Sequence, residues 1–151
     1  MMMGFMGRLH LEWYHSQPGV TWLPAWVDAH LTAAVRAVVV DERGALAELD
    51  WAAATVRPNL IGHREVAVAA GLFWDAVTEG TVSHLGQVEL TKGVLSAKQR
   101  PMMAGQAFGW DRKAAGSSVL IAASLALYGV TCERPTRPRR ARSRTVVRVL
   151  S

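Results

Sequence analysis

Three features of this 151-residue chain predict an α/β fold. An alternating strand, an amphipathic helix and an unbroken apolar strand succeed one another before residue 42, the beginning of an α/β unit. Two further helical patterns then alternate with short extended pieces, and a last apolar helix follows. Half of the residues are apolar, and the length suits one domain with its own core.

Taken in order, Leu9-His10-Leu11-Glu12-Trp13-Tyr14 alternates apolar and polar side chains, so it reads as a half-buried strand leading into a turn at Ser16-Gln17-Pro18-Gly19. Thr21 is placed to cap a helix from Trp22 to Ala34, with Pro24 tolerated in its first turn. Arg36 to Asp41 is the buried strand, its continuous run suiting the centre of a sheet covered on both faces. Ala45 to Ala53 is Ala-rich and predicted helical, and Thr55 to Ile61 is a strand that Pro58 pushes to an edge or a strand end. A longer helix covers Arg64 to Glu79, stopped by Gly80, with Val66, Ala69, Ala70, Phe73 and Val77 as its inward stripe. Thr81 to His84 is extended, Gln87 to Lys98 helical despite Gly93, Met102 to Trp110 a weak strand or hairpin, and Ser117 to Tyr128 the last core helix. Residues 1–130 thus form the domain and 131–151 a basic, disordered tail.

Charge follows the same division. Residues 1–132 carry ten Lys/Arg and eleven Asp/Glu, whereas 133–151 carry seven Arg and one Glu, so the net charge of +5 belongs to the tail. Electrostatic attraction to nucleic acid therefore attaches first to Arg134, Arg137, Arg139, Arg140, Arg142 and Arg144, with Arg148 beyond them. A single cysteine, Cys132, excludes an internal disulfide and a zinc site built on cysteine pairs. The longest apolar stretch, Val119 to Val130, falls short of the about 20 residues that a bilayer requires. With no secretory signal at the methionine-rich start, the expectation is a cytoplasmic protein without a membrane partner.

Val38-Val39-Val40-Asp41 is the most informative segment, because it delivers a carboxylate to the end of a buried strand. Two readings are open. The Asp ends the strand and turns the chain through Glu42-Arg43-Gly44, or it is a ligand to a hard cation, which requires further oxygen ligands from other positions.

The order of motifs downstream bears on that choice. Phe73-Trp74-Asp75-Ala76-Val77-Thr78-Glu79-Gly80 is followed by Ser83-His84-Leu85-Gly86-Gln87, Lys98-Gln99-Arg100-Pro101, Gly109-Trp110-Asp111-Arg112-Lys113 and Leu120-Ile121-Ala122-Ala123-Ser124-Leu125-Ala126-Leu127. In order and spacing this resembles the C-terminal nuclease domain of tailed-phage terminase large subunits, of the actinobacterial phage and prophage type. The likeness spans roughly residues 9 to 129 and rests on the order of the motifs, since none of them is specific alone. It implies an RNase H-like fold, a mixed central sheet flanked by helices, here expected to lack its first strand. It also implies cutting of double-stranded DNA in a bacterial host by two Mg²⁺ or Mn²⁺ ions, about 4 Å apart, that clamp the attacking and leaving oxygens. Partners implied are the terminase ATPase portion, the small subunit and the portal.

Of the three acids the family uses, Asp41 matches the second, as a catalytic metal ligand. No Asp or Glu precedes Glu12 to serve as the first, and Gly116 stands where the third belongs. Asp111, a few residues away, is the substitute metal ligand if the register shifts. No Gly-x-x-x-x-Gly-Lys-Ser/Thr occurs, so this chain has no ATP site. The expectation is a partial nuclease domain, weakened or inactive; the alternative is a non-catalytic prophage remnant, or an accessory DNA-binding domain that uses its Arg-rich tail.

The other candidates read as structure. Asp75 and Glu79 share a helix face, more simply a solvated one than an acid–base pair. Glu12 would matter only if its strand neighboured that of Asp41. His10, His15, His30, His63 and His84 lack the spacing of a zinc hydrolase, and Ser117-Ser118 lacks a nucleophile elbow. The six tryptophans, with Trp22 and Trp26 on one face and Trp74 after Phe73, read as core.

Overall fold

The computed structural model describes residues 9–30, 37–52, 54–55, 57–132 and 146–150. Among them are strands β1 (Leu9–His15), β2 (Val39–Asp41), β3 (Asn59–Ile61), β4 (Val82–His84), β5 (Gln99–Met102), β6 (Ala107–Trp110) and β7 (Val146–Leu150). The helices are α1 (Leu23–His30), α2 (His63–Thr78), α3 (Val88–Leu95) and α4 (Ser117–Cys132). The protein is mixed α/β, as expected, but its strands form three small sheets: parallel β4-β1-β7, parallel β2-β3 and the antiparallel hairpin β5-β6.

The main core lies where α2 and α4 pack together against β1, α3 and β6. Phe73 and Ala70 of α2 meet Leu120, Ala123 and Leu127 of α4, with Leu11, Leu90 and Trp110 closing the cluster. Buried Ser124 in α4 has both its needs met: its hydroxyl accepts from Trp110 Nε1 at 2.8 Å and donates to Leu120 O at 2.8 Å. This bond pins β6 to α4. A second cluster joins Leu23 and Val27 of α1 to Val40 and Trp51.

Strand β2 is covered on both faces, as its apolar run predicts, yet it does not lie at the centre of a sheet. Among the described residues its one strand partner is β3, while Val40 enters the α1 cluster and Val39 packs onto Gly129 of α4. A real Cβ at Gly129 would stand 2.7 Å from Val39 Cγ2, so glycine lets the helix approach. Pro58 has the predicted effect, because β3 starts at the next residue.

Several other elements differ from expectation for local reasons. Of the helix predicted over Ala45–Ala53, the described residues form only one 3₁₀ turn, Ala45–Glu48. Asp50 Oδ1 accepts the N–H of Ala52 and Trp51 Nε1 donates to Leu46 O, closing alternative turns that compete with a helix. The described part of α1 starts at Leu23 and runs to His30; its predicted continuation to Ala34, and Arg36 at the predicted start of the next strand, lie outside the described residues. On α2 the inward position is Ala76, and Val77 is exposed. Trp74 is likewise exposed, touching Phe108 edge-on, so it is not the core residue expected.

Gly93 was expected to be a tolerated weakness of α3 and is instead a contact surface. It faces Gly116, which has φ +72°, and a Cβ on either residue would press on the other's backbone at 3.1–3.2 Å. The hairpin predicted from Met102 to Trp110 starts earlier, at Gln99, and turns at Met103 and Ala104, both with positive φ.

At the C-terminal end α4 runs four residues beyond the predicted stop and β7 adds a third parallel strand beside β1, with His10 opposite Val146 and Trp13 opposite Val149. The basic segment expected to be a tail therefore ends in a strand of the sheet. Arg134, Arg137, Arg139, Arg140, Arg142 and Arg144 lie outside the described residues. Among the described residues, no helix is long and apolar enough to cross a membrane.

Candidate functional site

The site is built around the end of β2. Asp41 is buried, and its surroundings explain the strand end: Arg43 N–H donates to Asp41 Oδ1 at 2.9 Å and Gly44 N–H to Asp41 O at 2.9 Å. This is the turn through Glu42-Arg43-Gly44 that the first reading predicted. The other oxygen, Oδ2, accepts from the guanidinium of Arg112 in an ion pair. The pair joins segments 71 residues apart in sequence.

Arg112 is brought there by the loop between β6 and α4. Asp111 N–H donates to Lys98 O, Asp111 Oδ1 accepts from Lys113 N–H at 3.0 Å, and Ser117 Oγ donates to Arg112 O at 2.9 Å. These bonds turn the Asp111 carboxylate towards its own loop while Arg112 reaches across to β2. Asp111 does not line the cavity at Asp41. The residue that the β6–α4 loop brings to Asp41 is thus Arg112, and not the expected second acid Asp111.

Around this ion pair lies a cavity of about 270 Å³. Arg43 follows β2, His63 opens α2, Arg100 sits on β5 and Arg112 follows β6, so four distant segments contribute polar residues to its lining. Val66, Ala70, Ile121 and Leu125 contribute an apolar wall from α2 and α4. Three arginines and one carboxylate are therefore among the residues of the lining. Half of the Arg112 side chain is exposed, and only 9% of the Asp41 side chain is. An ion pair this open contributes about 0–1 kcal/mol to stability, so its larger effect is on the charge of the cavity.

Glu42 and Glu65 meet elsewhere, both within 3.1 Å of the place where a Gly62 Cβ would stand. They lie at the N-terminus of α2, where negative charge is favourable, and neither lines the cavity.

The donor set decides whether divalent cations fit. Both Asp41 oxygens are engaged, one by a fixed positive charge, and no three His, Cys, Asp or Glu side chains converge among the described residues. Two hard cations need several carboxylate oxygens, so these residues do not fit the pair of Mg²⁺ or Mn²⁺ ions that the resemblance implies. Gly116 is also unsuited to regain the third acid, since its positive φ and its contact with Gly93 leave no room for a side chain. Glu12 belongs to a different sheet from Asp41. Asp75 and Glu79 are exposed near the far end of α2, and Glu79 forms its C-cap.

The remaining histidines and tryptophans divide into structural groups. His10 Nδ1 is 3.0 Å from Ser83 Oγ across the β1–β4 pair, with Nε2 3.7 Å from Glu12. The Trp26 ring is stacked between His15 and His30, at 5.4 and 4.3 Å, with Trp22 edge-on.

The arginines lining the cavity were missed in the sequence because Arg43, Arg100 and Arg112 are far apart and share no motif. The only available signal was their position beside strand ends, which is also where ordinary solvated charge collects. No family model matches the chain, and no curated protein or solved structure matches it significantly.

Proposed function

We propose that the chain is a DNA-binding, non-cleaving relative of the RNase H-like nuclease domain of phage terminase large subunits, of phage or prophage origin. The ordered motifs from Phe73 to Leu127 support the ancestry. The observation that carries the loss of cleavage is the Asp41–Arg112 pair, in which a guanidinium occupies the carboxylate that a metal-dependent nuclease would offer to its cations. An arginine neutralises that carboxylate permanently, but it neither activates water nor moves its charge onto a leaving oxygen as a bound metal does.

The experiment is plasmid nicking in Mn²⁺ with wild type and Asp41→Asn. The expected result is intact supercoiled plasmid in both. Mn²⁺-dependent nicking by the wild type that Asp41→Asn abolishes would restore the nuclease reading. DNA binding is measured in parallel, on the full chain with Arg134, Arg137, Arg139, Arg140, Arg142 and Arg144 changed to Gln. Truncation at residue 133 is unsuitable because it also removes β7 from the sheet.

A further inference from the structure

We infer that the mouth of the cavity at Asp41 is a binding site for a backbone phosphate of duplex DNA, held by Arg43, Arg100 and Arg112. The inference rests on the proposed DNA-binding role and gives it a site within the folded domain, separate from the Arg-rich segment beyond Cys132.

Charge is the first reason. Three arginines line a cavity with a single carboxylate, leaving two positive charges in excess. Arg43 and Arg100 are exposed and make no ion pair among the described residues, since the salt bridges found there are Arg112–Asp41 and His10–Glu12. Like charges gathered from separate segments repel one another, and an anion between them relieves that repulsion.

Donor geometry is the second. A guanidinium has five N–H donors in a rigid fork, and Asp41 fixes one edge of Arg112 while half of its side chain stays open to solvent. Asp41 is thus a positioning residue for Arg112. The apolar wall of Val66, Ala70, Ile121 and Leu125 excludes water on one side, which strengthens charge–charge attraction at the mouth.

Size selects the ligand. At about 270 Å³ the cavity is below the roughly 300–1,000 Å³ of small-molecule sites. It admits a phosphate group of a chain crossing the surface better than a whole nucleotide. The contact is to a phosphate and not to base edges, so binding is independent of sequence and strongly dependent on salt.

The test follows binding of a fluorescent duplex by anisotropy over a KCl series, with the full chain and with Arg43→Gln/Arg100→Gln, Arg100→Lys and Lys92→Gln. The slope of log affinity against log salt should fall by about 0.9 in the double variant, the share of the one phosphate it releases. Arg100→Lys should keep the wild-type slope. Lys92, exposed on α3 and outside the cavity lining, should also leave it unchanged.

Wild type that binds DNA with a slope untouched by the double variant would overturn the cavity assignment and leave the DNA-binding role standing. So would an equal loss in Lys92→Gln. Absence of DNA binding by the wild type would overturn both readings. Titration with inorganic phosphate separates the two sources of the anion: displacement of the duplex at matched ionic strength supports a shared site, whereas saturation by phosphate without loss of duplex marks a small-anion site and refutes the inference. All variants are exposed side chains, and matching thermal unfolding to wild type confirms their folding.

Discussion

Gly116→Asp restores an acid at the position where the terminase resemblance expects one, and it should damage the fold instead of creating a metal site. Gly116 has φ +72°, a region in which an L-residue with a side chain loses about 1–2 kcal/mol, Asp being among the better tolerated. The added Cβ would stand 3.1 Å from Gly93 Cα and 3.3 Å from Gly93 N, and backbone atoms of α3 cannot swing aside as a side-chain tip would. Overpacking of this sort costs about 1–3 kcal/mol. Together the two effects are about 2–5 kcal/mol, a large share of the about 5–15 kcal/mol that stabilises a domain. At about 2–4 °C per kcal/mol for a chain of this length, the melting temperature should fall by roughly 4–20 °C.

Differential scanning calorimetry measures this, with Gly71→Ala as the matched control. Gly71 lies inside α2 with nothing within 4 Å of its built Cβ, so alanine there should stabilise by about 0.5–1 kcal/mol. A Gly116→Asp protein melting within about 2 °C of wild type would refute the tight α3–α4 contact. The same variant gaining Mn²⁺-dependent nicking would refute the reading that these residues cannot host the cations.

Two further outcomes follow from the packing. Ser124→Ala should cost about 1–3 kcal/mol, because it leaves buried Trp110 Nε1 without its acceptor; urea denaturation should show a lower midpoint at unchanged slope, and an unchanged midpoint would mean that another acceptor replaces it. Burial raises the Cys132 thiol above its ordinary range, opposed by its hydrogen bond with the Tyr128 side chain, so alkylation should reach half its maximal rate at a higher pH than for a free thiol. Tyr128→Phe removes the opposing contact and should move that midpoint higher still; a midpoint at or below the free-thiol value would contradict this.

The phosphate site and the packing of α4 are independent of each other. The Gly116–Gly93 contact and the Ser124–Trp110 bond belong to the packing of α4, whereas the phosphate site depends on exposed arginines that add little to stability.

What could be read from the sequence alone was governed by local periodicity and turn chemistry. The apolar run into Asp41, the start of β3 after Pro58, and α2 ending at Gly80 with φ +67° all follow from residues within a few positions of one another. Local competition defeated the Ala45–Ala53 helix, since side-chain bonds from Asp50 and Trp51 close turns that helix propensity does not report.

Tertiary structure decided what Asp41 is. Its sequence neighbourhood is compatible with both a turn and a metal ligand, and the choice depends on what arrives from 71 residues away. That partner is Arg112, a cation, and the two other arginines lining the same cavity come from β5 and the turn after β2. Coulomb attraction acts through space whatever the separation along the chain, so no window of sequence contains it. The strand ending in an acid was determined locally; the charge that the acid meets was determined only when the sheets and α4 packed together.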